Sequence, residues 1–288
     1  MRIAELFDQK KLVFSFEVFP PKKTSSIDTI YTTLDGLSEL NPDFISVTYG
    51  AGGTNASAVT ADIASIIKDK YGIEPMAHLT CVNSTKDMVE STLKVLKEKG
   101  IENILALRGD INPDMPVAND FKYASDLIEF IKARGDFHIS GACYPEAHPE
   151  NRDKIVDIRN LKYKVDMGAE HLVSQLFFDN NDFYSFMERA WIAGIDVPIE
   201  AGIMPVTNKA QIERMASLCG ASLPEKFVKM MQKFEHSPEA MRDAGIAYAV
   251  DQIVDLVSNG VRGIHLYTMN NPMIAKRICD NIAGLRSL

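Results

Sequence analysis

The sequence predicts an α/β protein of the (β/α)8 or TIM barrel class, with an extra helix before the last strand. Short runs rich in β-branched and aromatic residues alternate with longer amphipathic runs, which is typical of strands that alternate with helices. Eight such pairs fit the 288 residues, and a repeat of about 35 residues matches the βα units of a barrel. No linker of low complexity divides the chain, so residues 1–288 are interpreted as one domain.

The predicted strands are short apolar runs that polar or turn-forming residues bound. They lie at residues 12–19, 43–48, 75–81, 103–107, 138–143, 171–177, 199–204 and 263–267. The clearest helical patterns between them lie at residues 27–40, 56–71, 85–99 and 123–134. Segment 221–258 is longer than one βα unit needs, and it predicts the extra helix.

Glycines follow six helical runs at positions suited to the left-handed conformation that ends many helices. They are Gly72, Gly100, Gly135, Gly168, Gly194 and Gly260. An open doubly wound sheet is the alternative architecture. Its first strand is usually followed by a glycine-rich turn, whereas Pro20 and Pro21 occupy that position here.

Composition favours a small-molecule ligand over a polymer or a membrane. The net charge is -8 and the chain has no basic block, so it lacks the clustered Lys and Arg that bind nucleic acid or anionic lipid. The four cysteines are scattered, without a C-x-x-C pair, which is typical of reduced thiols. Charges interrupt the first residues and no apolar run approaches the roughly 20 residues of a membrane span. We therefore expect a cytoplasmic protein.

Polar residues gather near the downstream ends of six predicted strands. They are Glu17, Thr48 with Tyr49, His78, Arg108 with Asp110, Tyr144 with His148, and Gln175. Any one of them could be an ordinary satisfied polar group at the end of a strand. In a (β/α)8 barrel, however, these ends meet on one face, where the active site is built. Together they predict an active site there.

Two other strings carry less information. Segment 50–54 is glycine-rich but lacks the Gly-Lys-Ser/Thr ending of a phosphate loop, so it predicts only a tight turn. Segment 146–150 contains carboxylates and a histidine. The spacing does not match a zinc helix and the prolines favour a loop, so no metal site is predicted.

Six strings in fixed order are highly specific: FSFEVFPP (14–21), VTYG (47–50), HLTC (78–81), LALRGD (105–110), YPEAHPE (144–150) and QLFFD (175–179). In this order they resemble the bacterial methylenetetrahydrofolate reductase family, from the first strand to Tyr267 and Thr268. The resemblance implies an FAD-containing barrel that reduces 5,10-methylenetetrahydrofolate to 5-methyltetrahydrofolate. It also implies that the nicotinamide donor, NADH or NADPH, and the folate use one site in turn.

Glu17 is the predicted general acid of that reaction. The five-membered ring of the folate opens to an iminium before it accepts hydride, and the departing N10 nitrogen needs a proton. Glu17 lies between Phe16 and Val18, and partial desolvation by such neighbours would favour the protonated carboxyl. The alternative is an ion pair of Glu17 with Lys22 or Lys23.

The resemblance implies further roles at the same site. Asp110 would lie near the flavin and the pterin, where its negative charge makes the reduced flavin a better hydride donor. Gln175 and Thr48 would contact the substrate stacked on the flavin, together with Glu17 and Asp110. The implied FAD-binding residues are Thr48, Tyr49, Ala51, His78, Arg108, Gly109, Asp110, Tyr123, Ala124, Tyr144, His148, Asp157, Asn160 and Lys164.

Three positions depart from the family pattern and leave the electron donor open. Lys209 stands where the family has an aromatic residue over the substrate, Asn271 stands where an arginine contacts folate, and Tyr163 replaces an arginine beside Lys164. NADH, NADPH and an electron-donating partner protein all remain possible donors. The family also implies a homo-oligomer.

Two other functions are weighed against the reductase. A non-catalytic folate- and flavin-binding regulatory barrel is disfavoured because Glu17 and Asp110 are both present. A phosphate-binding lyase would have a glycine-rich turn after the seventh strand, where this chain has Met204, Pro205 and Val206.

Overall fold

The computed structural model is a closed barrel of eight parallel strands in the order β1 to β8. It describes residues 1–21, 28–49, 56–110 and 118–288. The strands are β1 (Val13–Val18), β2 (Phe44–Val47), β3 (Glu74–Thr80), β4 (Asn103–Leu107), β5 (His138–Cys143), β6 (His171–Ser174), β7 (Ile199–Ile203) and β8 (Gly263–Tyr267). The predicted (β/α)8 fold is confirmed, and β1 pairs with β8, so the sheet is not open.

The described helices lie after the strands on the outside of the barrel, except for the first helix, which precedes β1. They are α1 (Ile3–Gln9), α2 (Asp28–Ser38), α3 (Ala56–Tyr71), α4 (Lys86–Glu98), α5 (Ala124–Lys132), α6 (Lys154–Asp166), α7 (Asn180–Ile192), α8 (Lys209–Cys219), α9 (Glu225–Phe234), α10 (Pro238–Ser258), α11 (Pro272–Asn281) and α12 (Ala283–Arg286). Helix α9 is the extra helix predicted before the last strand. Among the described residues, no helix combines the length and apolar character that crossing a bilayer requires.

Alternation along β1 separates two environments. Successive side chains of a strand point to opposite faces, and Phe14, Phe16 and Val18 belong to the apolar core between the barrel and its helices. Val13 packs in a second cluster with Phe44 and other residues of the barrel interior. Because Ser15 and Glu17 share the parity of Val13, β1 directs a hydroxyl and a carboxylate toward the barrel axis.

Helix α1 covers the amino-terminal end of the barrel, a feature that the strand and helix pattern did not reveal. Its buried residues Ile3, Leu6 and Phe7 pack against the interior ends of the strands. The backbone N–H of Ile3 donates to Asn103 Oδ1 at 3.0 Å. The helix therefore shields the lower interior of the barrel from water.

Polar side chains occupy the middle of the barrel interior, above α1. Ser15, Ser140, His171, Glu200 and His265 are all fully buried. The Ser15 hydroxyl lies 2.7 Å from His265 Nδ1, and the Ser140 hydroxyl lies 2.9 Å from His171 Nδ1. Buried polar groups persist in protein interiors when they bond to one another, and these pairs meet that condition across strands β1 and β8 and strands β5 and β6.

Five of the six predicted cap glycines have the positive φ expected of a left-handed cap: Gly72, Gly100, Gly168, Gly194 and Gly260. The prediction is wrong for Gly135, whose φ is not positive. A Cβ atom at Gly135 would lie 3.0 Å from the Phe137 ring. Close approach of the chain to this ring, rather than backbone conformation, favours glycine there.

Helix α10 lies in direct contact with the segment that follows β7. A Cβ atom at Gly245 would lie 1.8 Å from the carbonyl oxygen of Val206. Only glycine allows this approach, so α10 fixes the chain that leads from β7 to α8.

We predict that Gly245→Ala destabilises the protein by about 2–3 kcal/mol, because the added methyl group overlaps backbone atoms that cannot move aside. Gly284→Ala is the matched control, since Gly284 is helical and exposed, and a Cβ atom added there would have no neighbour within 4 Å. Urea unfolding followed by circular dichroism measures both variants. Equal unfolding midpoints would contradict the packing argument.

Candidate functional site

The carboxyl ends of the strands carry the predicted site residues to one rim. Glu17 lies near the end of β1, Thr48 follows β2, and His78 lies near the end of β3. Arg108, Tyr144 and Gln175 directly follow β4, β5 and β6. In a parallel barrel these positions necessarily face the same end.

Glu17 lies between two imidazole rings. Its Oε2 atom is 3.6 Å from His78 Nε2 and 3.7 Å from His265 Nε2, and its side chain is 20% exposed. Phe16 and Val18, the sequence neighbours expected to surround it, point instead into the core outside the barrel. Lys22 and Lys23, the alternative ion-pair partners, lie outside the described residues.

Burial keeps His78 neutral beside this carboxylate. Desolvation lowers the pKa of His78 to about 4, against the opposing effect of Glu17. No hydrogen-bond partner for His78 Nε2 is found among the described residues. A neutral ring does not hold Glu17 in a permanent ion pair near neutral pH.

Tyr267 lies between Glu17 and the end of β6, where Gln175 is located. Its hydroxyl donates to the carbonyl oxygen of Ser174 at 2.7 Å, and burial, with a contribution from Glu17, raises its pKa well above the ordinary value. The ring lies over Gly202, where a Cβ atom would be 2.8 Å from the Tyr267 hydroxyl oxygen and 2.3 Å from the Ser174 carbonyl oxygen. Gln175 Oε1 accepts from Leu176 N at 2.9 Å.

A cavity of about 710 Å³ opens beside strands β4 and β5. Its walls include eight of the residues predicted to bind FAD: Arg108, Tyr123, Ala124, Tyr144, His148, Asp157, Asn160 and Lys164. These residues come from the ends of β4 and β5, the start of α5, and α6. Residues that are distant in the chain thus form one concave surface.

Lys164 is a cation on the wall of this cavity whose pKa is lowered by burial. Its ammonium group donates to the carbonyl oxygen of Ala142 at 2.6 Å. Burial lowers its pKa, while Cys143 and Asp157 oppose that effect. Burial likewise raises the pKa of Asp157, whose carboxylate accepts from the backbone N–H of His148 at 3.2 Å. An anionic ligand at this wall would stabilise the charged form of Lys164.

Arg108 and Glu150 form a two-bond ion pair at the cavity edge. The guanidinium donates through Nη1 and Nη2 to the two carboxylate oxygens at 2.6 and 2.7 Å. This pairing raises the pKa of Arg108 and lowers that of Glu150. Glu150 belongs to the YPEAHPE string but was not among the predicted site residues.

The remaining predicted FAD residues lie away from the walls of this cavity or outside the described residues. Ala51 lies outside the described residues. Tyr49 lines a separate cavity of about 310 Å³ between α3 and α4. Thr48 donates its backbone N–H to Val18 O at 2.9 Å, beside Glu17.

Asp110 is exposed at the edge of the described chain, directly after Gly109, which has a φ of 85°. Its negative charge adds to burial in raising the pKa of Tyr144 and that of Cys219. Burial is the main cause that raises the pKa of Cys219 to about 11, and Asp110 adds to it. Asp110 therefore lies near the carboxyl end of β5 and the end of α8.

Two of the three departures from the family pattern have hydrogen-bond partners, and the third lines the large cavity. Lys209 Nζ donates to Glu235 Oε2 at 2.8 Å. Asn271 caps α11, where its side-chain oxygen accepts from Ile274 N at 3.2 Å. Tyr163 is on the wall of the large cavity and is 53% exposed.

His265, Tyr267 and Glu200 were missing from the predicted site. His265 and Tyr267 lie in the predicted eighth strand, and Glu200 lies in the seventh. The signal that singled out Glu17, a charged residue inside an apolar strand, is equally present at Glu200. Glu200 differs from Glu17 because it lies near the start of its strand rather than at the rim.

The fold and the rim define an α/β-barrel enzyme with its active site at the carboxyl ends of the strands. Residues 2–283 match the family model described as methylenetetrahydrofolate reductase. The chain belongs to the methylenetetrahydrofolate reductase family.

Named relatives agree over almost the whole chain. The 5,10-methylenetetrahydrofolate reductase of Pectobacterium carotovorum is 37% identical over 99% of this chain and 93% of its own length. That of Escherichia coli K12 is also 37% identical, over 96% of this chain and 93% of its own length. The methylenetetrahydrofolate reductase (NADH) 1 of Arabidopsis thaliana is 35% identical over 98% of this chain, which corresponds to 50% of the plant protein.

A solved structure shares the fold at low sequence identity. It is described as an uncharacterized protein from Clostridium thermocellum that binds two copies of 5-methyl-5,6,7,8-tetrahydrofolic acid. The two chains superpose with a TM-score of 0.67 at 13% identity and cover 100% and 99% of each other. This likeness supports the barrel architecture.

Proposed function

We propose that this protein reduces 5,10-methylenetetrahydrofolate to 5-methyltetrahydrofolate with bound FAD and an external electron donor. The observation that carries the proposal is Glu17, a partly buried carboxylate that faces the barrel mouth between two imidazoles. Family membership supports the reaction and the substrate class. FAD would supply the transfer of hydride from a nicotinamide to the folate.

The large cavity has the chemistry that a dinucleotide requires. Lys164 and Arg108 provide positive charge for a pyrophosphate, and Asn160 and Asp157 provide amide and carboxylate groups for hydroxyls. Tyr123 and Tyr144 add aromatic surface. These residues would hold the cofactor beside the rim that carries Glu17.

Glu17 would hold and deliver the proton that the folate N10 nitrogen takes up when the ring opens. The carboxyl is enclosed on two sides by His78 and His265, which limits competing water. Tyr267 cannot replace it as acid near neutral pH, because its hydroxyl is committed to the Ser174 carbonyl and its pKa is raised by burial. Of these two side chains, Glu17 is therefore the one that can reach the folate and donate the proton.

Gln175, Thr48 and Asp110 are proposed to orient the pterin. Gln175 Oε1 bonds to the neighbouring backbone N–H, which fixes its amide and leaves the NH2 group available to a substrate. Thr48 is held beside β1 by its backbone bond to Val18. Asp110, exposed at the mouth, would accept from the amino groups of the pterin and place a negative charge near the flavin.

We predict that Glu17→Gln separates the two half-reactions. Reduction of bound FAD by the nicotinamide should stay within about twofold of the parent protein, while reoxidation by methylenetetrahydrofolate should slow by at least about 100-fold, the usual contribution of a general acid. Anaerobic stopped-flow absorbance of the flavin measures both steps.

Glu146→Gln is the matched control for this experiment. Glu146 is a rim carboxylate that accepts from the backbone N–H of Ser222 at 3.0 Å and has no contact with Glu17. Both half-reactions should be unchanged in this variant. Normal folate-dependent reoxidation in Glu17→Gln would overturn the assignment of the acid.

We predict that Lys164→Met weakens FAD binding by about tenfold or more, since it removes a partly buried charge from the pyrophosphate wall. Lys162→Met, two residues earlier on α6, is the control because Lys162 pairs with Asp166 on the outer side. Equilibrium dialysis of the flavin-free proteins gives both dissociation constants. Equal affinities would argue against this wall as the pyrophosphate site.

The identity of the electron donor is a separate part of the proposal. We expect NADH or NADPH to bleach the bound flavin when each is mixed anaerobically with the purified protein. Failure of both nucleotides, with photoreduced flavin still reoxidised by the folate, would indicate an electron-donating partner protein. This result would leave the folate half-reaction intact.

Association into a homo-oligomer stays a prediction. Two large apolar side chains at the end of α7 support it, because Trp191 is 80% exposed and Ile192 is 77% exposed. Outer helices are the usual contact surfaces of barrels that associate.

A further inference from the structure

A buried carboxylate lies below Glu17 inside the barrel, and the steps described above do not use it. Glu200 is fully buried on β7. Its Oε1 atom accepts from the Ser15 hydroxyl at 3.0 Å, and the same hydroxyl lies 2.7 Å from His265 Nδ1. The other nitrogen of that ring, Nε2, lies 3.7 Å from Glu17 Oε2. A row of polar groups with one gap of 3.7 Å thus leads from the interior carboxylate to the rim carboxylate.

The surroundings of Glu200 come from several strands. His171 on β6 places Nε2 3.4 Å from Glu200 Oε2, and His265 on β8 places Nδ1 3.9 Å from that oxygen. Within the described chain, Oε2 has no hydrogen-bond partner of ordinary length. Phe7 of α1 closes the space below, and Asp43, before β2, adds a negative charge nearby. A buried carboxylate that is ionised and unpaired is costly, so burial favours its protonated form.

We propose that Glu200 is a proton-holding positioning residue that reloads Glu17 through Ser15 and His265. This inference rests on the proposed function, because it supplies the acid that the folate half-reaction consumes. Each folate reduced takes one proton from Glu17. With cofactor and substrate at the rim, direct access of water to this carboxylate is restricted.

The transfer balances with protons alone. Glu200 gives its carboxyl proton to the Ser15 oxygen, and Ser15 gives its own hydroxyl proton to His265 Nδ1. His265 then gives its Nε2 proton to Glu17. At the end Glu17 is the acid, Glu200 is the carboxylate, and His265 is the other neutral tautomer. The last gap of 3.7 Å closes if the Glu17 carboxylate moves inward by roughly 0.8 Å.

The hydroxyl of Ser15 is suited to both ends of this exchange. It has one proton and can donate either to ionised Glu200 or to His265 Nδ1. Switching between these two bonds is the change that accompanies the transfer. Among the described residues, no group of three or more His, Cys, Asp and Glu side chains is arranged to hold a metal ion.

The electrostatics agree with this geometry. Burial raises the pKa of Glu200 to about 7, against the opposing effects of His265 and the Ser15 hydrogen bond. Burial lowers the pKa of His171 and of His138, which lies behind it, to about 3. These rings are therefore neutral near pH 7, and so is His78 on the far side of Glu17. Glu200 therefore gains and loses a proton around neutrality.

Infrared difference spectroscopy of the flavin-free protein tests the proton-holding role without any turnover. Between about pH 6 and about pH 8, a carbonyl band of a buried protonated carboxyl group should disappear in the parent protein. The band should be missing in Glu200→Gln, in which the amide still accepts from Ser15. A parent protein without such a band, or a band that survives in the variant, would overturn the proposal.

Stopped-flow reoxidation by methylenetetrahydrofolate, measured against pH, tests the transfer. The parent rate should fall as the pH rises through about 7, because Glu200 loses its proton there. In Glu200→Gln this step in the profile should be absent and the rate below it should drop about tenfold, within the range of general acid effects. A profile identical to that of the parent would contradict the relay.

Ser15→Ala and Ser140→Ala separate proton transfer from a general effect of the cluster. Ser15→Ala breaks the chain between Glu200 and His265, so it should keep the infrared band but lose the step in the reoxidation profile. Ser140→Ala removes a buried hydroxyl 2.9 Å from His171 and should leave the profile unchanged. Circular dichroism and FAD content verify that each variant is folded.

Failure of the proposed function gives a different result from failure of the relay. If the parent protein does not reoxidise its flavin with the folate at any pH, the reaction assignment is wrong. The infrared band can still titrate in that case. If the parent protein turns over and Glu200→Gln keeps its full profile, only the relay is wrong.

Discussion

Closure of the barrel is the constraint on which the rest of the structure depends. When β8 pairs with β1, every second side chain of each strand must enter a narrow interior that α1 seals from below. Polar residues at those positions are fully buried, so hydrogen bonds among them offset the cost of their burial. Ser15, Glu200 and His265 form such bonds, and Glu17 extends the same row to the rim.

The large cavity and the barrel axis differ in how their charged side chains are paired. The large cavity is bounded by Arg108 with Glu150 and by Lys164 near Asp157, so it can exchange internal partners for those of an anionic ligand. Near the barrel axis, the carboxylates of Glu17 and Glu200 lie beside the neutral imidazoles of His78 and His171 instead. The first arrangement suits binding of a cofactor, and the second suits the movement of protons.

The sequence predicted the fold through periodicity and the rim through the polar residues that follow the strands. It could not predict which neighbours surround Glu17, because Phe16 and Val18 are adjacent in the chain but point to the opposite face. The partners His78 and His265 come from β3 and β8, and only closure brings them together. Helix α1 escaped prediction because seven residues give too short a periodic pattern.

Position 202 leaves no room for a side chain beside Tyr267 and Ser174. Its bare Cα lets the Tyr267 ring and the Ser174 carbonyl approach to distances at which any side chain would collide. Libraries meant to alter ligand preference should therefore keep residue 202 constant and diversify the opposite wall. Tyr163 is suited to such variation, because its side chain lines the large cavity and is half exposed to solvent.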